Sequence, residues 1–289
     1  MPDPLEALRS PVIPTYPDPS FAANLRARLE KALNLPRGVL VSELTFDPQE
    51  VPSTPPGLRH GDVAYASLWV PDVERAAAFF SAVVGWHYAP GSGPQGRQVQ
   101  GTTPRQGLWG GQERSNLFLC FAVDDVEQAV QRVREAGGQA DAPRIEPYGA
   151  VVDCEDNQGT PLALVQAAPR PAGAAPDTGA GPGDLAYLVL EVVDAAEARD
   201  FYASVLGWQF TRGSVDDGWQ APDVMPMVGM VGGQDRATVV PMYQVDDITS
   251  AVERARAAGG TADDPERHPY GTTSLCTDDQ GTRFYLGEL

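Results

Sequence analysis

The fold is decided by a stretch that occurs twice, GDVAYASLWVPDVERAAAFFSAVV at residues 61–84 and GDLAYLVLEVVDAAEARDFYASVL at residues 183–206. The second run starts 122 positions after the first (183 − 61 = 122), and the same spacing relates Pro147-Tyr148-Gly149 to Pro269-Tyr270-Gly271. A repeat that keeps its spacing predicts two copies of one domain, each of about 100 residues. We expect these domains at residues 61–168 and 183–289.

Two segments lie outside the repeat. Residues 169–182, PRPAGAAPDTGAGP, have the composition of a flexible linker between the copies. Residues 1–60 form a Pro-rich extension in which apolar residues recur every fourth position from Phe21 to Leu33. This periodicity predicts one amphipathic helix, which we expect to pack on a domain or on a partner chain.

Within each copy the hydrophobic pattern switches between strand and helix periods. Residues 63–70 read as a strand, Asp72 is a candidate N-cap, and the helix that follows should end at Gly85. The order then begins again, with a strand at 116–123 and a helix at 125–136. Short strands are expected near 86–88, 97–102, 107–110, 140–143, 149–154 and 161–166. The pattern predicts an α+β fold in which each copy consists of two βαβββ modules.

This order of elements resembles the vicinal oxygen chelate superfamily, which includes glyoxalase I, extradiol dioxygenases and bleomycin-binding resistance proteins. FAVDDVEQAVQRVREAGG at 121–138 and DNQGT at 156–160 are similar to the second module of that superfamily. The tandem arrangement resembles glyoxalase-like proteins of actinobacteria. The resemblance implies that two modules form one cupped mixed sheet around a pocket. It does not fix the reaction, because the superfamily contains isomerases, lyases, oxygenases and proteins that only bind.

The resemblance also implies a divalent metal, held by His or Gln on the first strand of each module and by Glu on the last. This chain departs from that pattern at every expected position: Tyr65, Phe118 and Ala163 in the first copy, and Tyr187, Val240 and Tyr285 in the second. The three histidines, His60, His87 and His268, lie elsewhere. We therefore expect no metal and no other cofactor, and a divalent metal on relocated ligands is the alternative.

Side chains alternate across a strand, so the residues that line each cup can be assigned. The predicted ligand-binding residues of the first copy are Tyr65, Ser67, Trp69, Phe118, Cys120, Tyr148 and Ala163. Those of the second copy are Tyr187, Glu191, Met242, Gln244, Tyr270 and Tyr285. A mostly apolar, aromatic concavity is typical of small-molecule pockets. The alternative is that these aromatic residues fill the cups as core, although the small residues leave more room in the first.

Glu191 differs most between the copies, because Trp69 occupies the matching position. A carboxylate on an apolar strand face costs free energy unless it is paired or neutral. Three interpretations remain open: an acid or base acting beside Tyr187, a partner for a cationic ligand, or an ion pair with Arg283.

Composition excludes several classes of function. The net charge of -18 argues against nucleic acids and anionic membranes, whose binding needs clustered Lys and Arg. We expect no secretory signal and no membrane span, because neither the N-terminus nor any other stretch is apolar enough. Three cysteines cannot form a disulfide framework, and Cys154 and Cys276 fall on apolar strands. A cytoplasmic protein fits these features best.

Two functions follow as hypotheses. The first is a metal-independent protein, monomer or homodimer, that sequesters or carries a small organic ligand of aromatic or cationic character. The second is a lyase, isomerase or cyclase with Glu191 and Tyr187 as catalytic residues, with or without a relocated metal.

Overall fold

The computed structural model describes residues 57–146, 148–166 and 180–289. The helix predicted between Phe21 and Leu33 lies outside these residues, as does most of the predicted linker. The four helices of the described part are 10 or 12 residues long. None of them is long and apolar enough to cross a membrane.

Each copy folds into one nine-stranded mixed sheet with two helices. The first copy contains α1 (Val73–Val84), α2 (Val126–Glu135), β1 (Val63–Trp69), β2 (Tyr88–Pro90), β3 (Gly96–Val99), β4 (Arg105–Trp109), β5 (Asn116–Val123), β6 (Gln139–Ala140), β7 (Arg144–Glu146), β8 (Gly149–Glu155) and β9 (Pro161–Gln166). The second contains α3 (Ala195–Leu206), α4 (Ile248–Ala257), β10 (Leu185–Glu191), β11 (Thr211–Arg212), β12 (Gly218–Ala221), β13 (Met227–Val231), β14 (Thr238–Gln244), β15 (Thr261–Ala262), β16 (Glu266–His268), β17 (Gly271–Thr277) and β18 (Arg283–Glu288).

The two modules of a copy share one sheet, so modules are not exchanged between the sheets. The strand order is β2-β3-β4-β1-β5-β9-β8-β6 in the first copy and β11-β12-β13-β10-β14-β18-β17-β15 in the second. The leading strands of the two modules pair antiparallel at the centre, with Ser67 opposite Phe118. The predicted α+β architecture of two tandem mixed sheets is confirmed.

The short strands depart from the sequence expectation in two places. The strand expected near 86–88 begins at Tyr88, and the Trp86 side chain before it is buried against Phe80 and Tyr243. The single strand expected near 140–143 is two strands, β6 and β7, which both pair with β8. Pro143 lies between them and has no N–H to continue the ladder, and Pro265 has the same place between β15 and β16.

Helix boundaries follow the predicted capping residues. The Asp72 carboxylate accepts hydrogen bonds from the backbone N–H groups of Glu74 and Arg75. The helix ends at Gly85, whose φ of 76° lies in the left-handed region that glycine adopts without strain. Asp194 and Gly207 cap α3 in the same way.

The two copies share one hydrophobic core. Helix α1 packs against α4 of the other copy, and α2 packs against α3. Aromatic rings from both copies meet there: Phe80 and Trp86 each lie edge-on to Tyr243, with centroids 5.8 Å and 4.9 Å apart. Cys154 and Cys276 are buried in this core, as predicted, and burial raises the pKa of each thiol.

Each closing turn also holds the helix start of the other copy. Gln280 accepts a 2.8 Å hydrogen bond from the Asp72 N–H and donates one of 3.0 Å to the Asp72 carbonyl oxygen. Gln158 binds the backbone of Val193 and Asp194 in the same manner. The two glutamines occupy the same position in the closing turns, DNQGT at 156–160 and DDQGT at 278–282, so each turn is tied to a helix start in the other copy.

Candidate functional site

We call the sheet face of the first copy that points away from the helices cup one. It carries Tyr65, Ser67 and Trp69 from β1, Phe118 and Cys120 from β5, and Ala163 from β9. Small buried residues form its floor, and Tyr65, Phe118 and Leu58 pack against them: Ala64, Cys120, Ala122, Val151, Ala163 and Val165. The floor is therefore core-like, which is the alternative that the sequence left open, but several of the aromatic side chains stay partly exposed.

An aromatic surface crosses one end of cup one, formed by Trp69, Trp109 and Phe118. The rings of Trp69 and Phe118 stack with centroids 4.8 Å apart and planes 8° from parallel. Trp109 lies beside Trp69 on the neighbouring strand and is 37% exposed. The sequence analysis missed Trp109, because it predicted a strand near 107–110 without assigning the faces of that strand. Strand alternation from Gly107 would have found it.

The Tyr65 hydroxyl lies over Gly107, in space that a side chain on β4 would occupy. It donates a 3.4 Å hydrogen bond to Gln98 Oε1, and Gln98 Nε2 is anchored on the Gln106 carbonyl oxygen at 2.7 Å. Burial, with smaller effects of Tyr148 and Cys120, raises the pKa of Tyr65 to about 12. The phenol is therefore protonated at neutral pH and can donate a hydrogen bond but cannot act as a base.

The other end of cup one is polar. Arg144 binds Asp153 at 2.6 Å and Glu146 at 3.0 Å. Tyr148 lies near this pair, and its pKa is raised by burial and the Glu146 carboxylate while Arg144 opposes the increase. The sequence analysis named Tyr148 but not Arg144 or Asp153, although Asp153 shares a strand face with Val151. Cup one thus has an aromatic end and a hydrogen-bonding end.

The matching face of the second copy, cup two, carries Tyr187, Glu191, Met242, Gln244 and Tyr285. Tyr187 lies over Gly229 and hydrogen-bonds to Gln220, just as Tyr65 lies over Gly107. Burial raises the pKa of both Tyr187 and Tyr285. Tyr270 stacks on His268 with centroids 5.1 Å apart and is 62% exposed, so it lies at the rim.

Glu191 is paired. Arg283 Nη1 and Nη2 donate to its two carboxylate oxygens at 2.9 Å and 2.8 Å, the bidentate arrangement of a strong ion pair. The Glu191 side chain is 15% exposed and that of Arg283 is 44% exposed. The structure therefore shows the third interpretation of Glu191, an ion pair with Arg283. The other two, a catalytic acid or base and a partner for a cationic ligand, stay predictions.

The residues at the expected metal positions do not fit a divalent metal. They offer a protonated phenol and hydrocarbon groups where imidazole or carboxylate is needed. In residues 57–146, 148–166 and 180–289, no three His, Cys, Asp or Glu side chains come together in a way that could hold a metal ion.

Two tandem copies of a cupped mixed sheet are the architecture that the sequence resemblance implied. Residues 64–165 and 187–287 each match the profile of the glyoxalase-like domain, so the chain belongs to the glyoxalase-like domain family of the vicinal oxygen chelate superfamily. The resemblance inferred from the sequence is confirmed.

The chain is similar to two curated proteins of Streptomyces. It is 27% identical over 261 residues to the anthracycline biosynthesis protein DnrV of Streptomyces peucetius, covering 79% of this chain and 94% of the relative. It is 26% identical, over the same shares of the two chains, to the anthracycline biosynthesis protein DauV of Streptomyces sp. (strain C5).

Solved structures show the same fold at lower identity. The 2,3-dioxygenase LapB from Pseudomonas sp. KL28 superposes with a TM-score of 0.61 at 16% identity, covering 80% of this chain and 94% of LapB. The Mn(II)-bound glyoxalase from Novosphingobium aromaticivorans superposes with a TM-score of 0.62 at 17% identity, covering 80% and 82% of the two chains. At this identity the likeness shows the fold alone.

Proposed function

We propose that the chain binds a planar, oxygenated aromatic molecule in cup one without a metal. The observation that carries the proposal is the aromatic surface of Trp69, Trp109 and Phe118 at the same face as the protonated Tyr65 phenol. Stacking on such rings contributes about 0.5–1.5 kcal/mol per pair beyond the burial of area. Tyr65 would donate a hydrogen bond to a carbonyl or phenol oxygen of the ligand in exchange for its long 3.4 Å bond to Gln98.

The overall charge and the relatives support this class of ligand. With a net charge of -18, the chain repels anions at long range, which favours a neutral or cationic molecule. The two Streptomyces relatives are named for the biosynthesis of anthracyclines, whose ring system is planar, aromatic and oxygenated. Sequestration or transport of such a compound requires only a binding site.

The test is titration of the purified chain with a dihydroxyanthraquinone. Binding is measured by the quenching of tryptophan fluorescence and, independently, by calorimetry. Trp69→Glu and Phe118→Val place the residues of cup two, Glu191 and Val240, into cup one. Each should weaken binding about tenfold through the loss of one aromatic contact and its buried area. Trp219→Phe is the control, because Trp219 lies beneath Arg199 away from cup one. Unchanged affinity in both cup variants would reject the proposal.

Catalysis in cup two is the second candidate, as a lyase, isomerase or cyclase. It is favoured by one observation: the paired Glu191 and Arg283 lie on the same face as Tyr285, whose pKa is raised mainly by burial and also by the Glu191 carboxylate, while Arg283 opposes the increase. Tyr187 would donate a proton, and Glu191 would accept one after release from Arg283. If Glu191→Gln and Tyr187→Phe both left an identified turnover unchanged, this candidate would be rejected.

We also infer that the protein works in a reducing cytoplasm. Cys120, Cys154 and Cys276 are free and buried. Their distribution supports this compartment, because none is positioned as half of a disulfide. Fractionation of the native cells, with a cytoplasmic marker enzyme as reference, tests it.

A further inference from the structure

A cleft of about 210 Å³ opens where the two copies meet, beside strands β5 and β14. Its neutral polar side chains come from both copies: Ser115, Asn116, Gln234, Thr238 and Thr282. Its apolar floor consists of Leu68, Leu117, Val239 and Pro241. The cleft is separate from cup one, and pockets at such junctions are a common location for ligands.

The charged residues of the cleft balance one another. Glu191 and Arg283 occupy each other through two hydrogen bonds at 2.9 Å and 2.8 Å. Asp235 and Arg236 add one charge of each sign at the exposed rim. An ionic ligand would therefore gain little from the lining, whereas a neutral ligand meets hydroxyl and amide groups that both donate and accept hydrogen bonds.

Comparison of the copies shows that Asn116, Thr238 and Gln234 have polar counterparts at the opposite junction, whereas three other side chains of the cleft do not. The repeat spacing relates each lining residue to a counterpart at the opposite junction. At three positions the cleft has a polar residue where the counterpart is apolar: Ser115 against Ala237, Glu191 against Trp69, and Arg283 against Pro161.

We propose that this cleft binds a neutral, polyhydroxylated molecule of monosaccharide size. At about 30 Å³ per water molecule, the cleft holds the volume of about seven waters, which suits a six-membered ring with hydroxyl groups. The hydroxyl groups pair with Asn116, Thr238 and Gln234, and the C–H face of the ring lies on the apolar floor. This site is independent of the ligand proposed for cup one.

The experiment is saturation-transfer NMR on the full chain with glucose and myo-inositol as neutral probes. Glucosamine and glucuronate are the cationic and anionic counterparts. Gln234→Ala is compared with Gln112→Ala, its counterpart at the opposite junction. Both side chains donate to a glycine carbonyl oxygen, Gln234 to Gly232 at 3.2 Å and Gln112 to Gly110 at 3.4 Å. The two changes therefore remove the same local structural contact.

We expect a neutral probe to bind. Gln234→Ala should lower the affinity for that probe about fivefold, which corresponds to about 1 kcal/mol, and Gln112→Ala should leave the affinity unchanged. Phe118→Val should leave polyol binding intact, which separates this site from cup one. The proposal is overturned if neither neutral probe binds, if the two glutamine variants behave alike, or if a charged probe binds more tightly than glucose and inositol.

Discussion

The indole Nε1 of Trp86 donates a 2.8 Å hydrogen bond to the carbonyl oxygen of Gly183, the residue that opens the second copy. In the opposite direction, the indole Nε1 of Trp208 donates a 3.0 Å hydrogen bond to the carbonyl oxygen of Gly61, the first residue of the first copy. Each Gly-Trp motif thus holds the start of the other copy. The repeat is one interlocked unit because the residues that define a copy make their buried contacts in its neighbour.

These two bonds should differ in their contribution to stability. The Gly183 carbonyl oxygen also accepts from Gln106 Nε2 at 3.2 Å, whereas the described residues offer the Gly61 carbonyl oxygen no second donor. Trp208→Phe should therefore lower the free energy of unfolding more than Trp86→Phe does, by about 1 kcal/mol. Urea denaturation of both variants measures the difference, and an equal loss would contradict the interpretation.

Neither copy should fold alone. A chain limited to residues 180–289 would expose Tyr243 and Phe284, which are buried against Phe80 of the first copy. We expect poor dispersion in its proton–nitrogen NMR spectrum, and recovery of the native spectrum when residues 57–166 are supplied in trans. The intact chain should unfold in one cooperative transition. Two separate transitions would show that the shared core does not couple the copies.

Phe80→Tyr should stabilise the protein near neutral pH. Its counterpart Tyr202 donates a 3.0 Å hydrogen bond to Asp156, but Asp278 Oδ2 has no hydrogen-bond partner among the described residues. Burial raises the pKa of Asp278, so stability falls as pH rises through that pKa. A phenol donor would lower the pKa again.

The expected gain from Phe80→Tyr is about 1 kcal/mol at about pH 7, and it should shrink at acidic pH, because protonation of the Asp278 carboxyl removes the charge that the phenol stabilises. Tyr202→Phe is the matched control and should destabilise the chain. Urea denaturation at both pH values measures these changes. A loss of stability in Phe80→Tyr would mean that the core cannot accommodate the hydroxyl group.

Ligand affinity in cup one should be flat between about pH 6 and about pH 9, because the raised pKa of Tyr65, about 12, keeps the phenol protonated. Tyr65→Phe should weaken binding of a dihydroxyanthraquinone about fivefold through the loss of one hydrogen bond. Calorimetry across this range provides the measurement. A decline with pH in the wild type that disappears in Tyr65→Phe would show that Tyr65 titrates there.

The Glu191–Arg283 ion pair should contribute to the free energy of unfolding through the coupling of its two charges. Arg283→Leu leaves the largely buried Glu191 carboxylate without its partner and should cost about 1–3 kcal/mol. Adding Glu191→Leu should restore part of that loss, since no unpaired charge then remains. The double-mutant cycle in urea measures the coupling. Additive losses would show that the pair contributes nothing to the fold.

Much of the architecture could be predicted because its causes are local. Asp72 and Gly85 bound their helix through their own backbone contacts, and alternation along β1 placed Tyr65, Ser67 and Trp69 on one face. The expectation of a single strand near 140–143 was wrong, because Pro143 cannot donate a ladder hydrogen bond and separates β6 from β7. The candidate site was predicted in part. Trp109 and Arg144 were missed because no face was assigned to the strand near 107–110 and no strand was expected at 144–146.

The sequence by itself determined the repeat, the module order, the capping residues and the absence of metal ligands at the expected positions, since each depends on residue type and spacing along the chain. Only the tertiary structure decided which surfaces meet. The shared aromatic core, the bonds from Trp86 and Trp208 across the copies, the Glu191–Arg283 pair and the cleft at the junction all join residues far apart in sequence. Their distances depend on how the two sheets pack, and no local pattern encodes that.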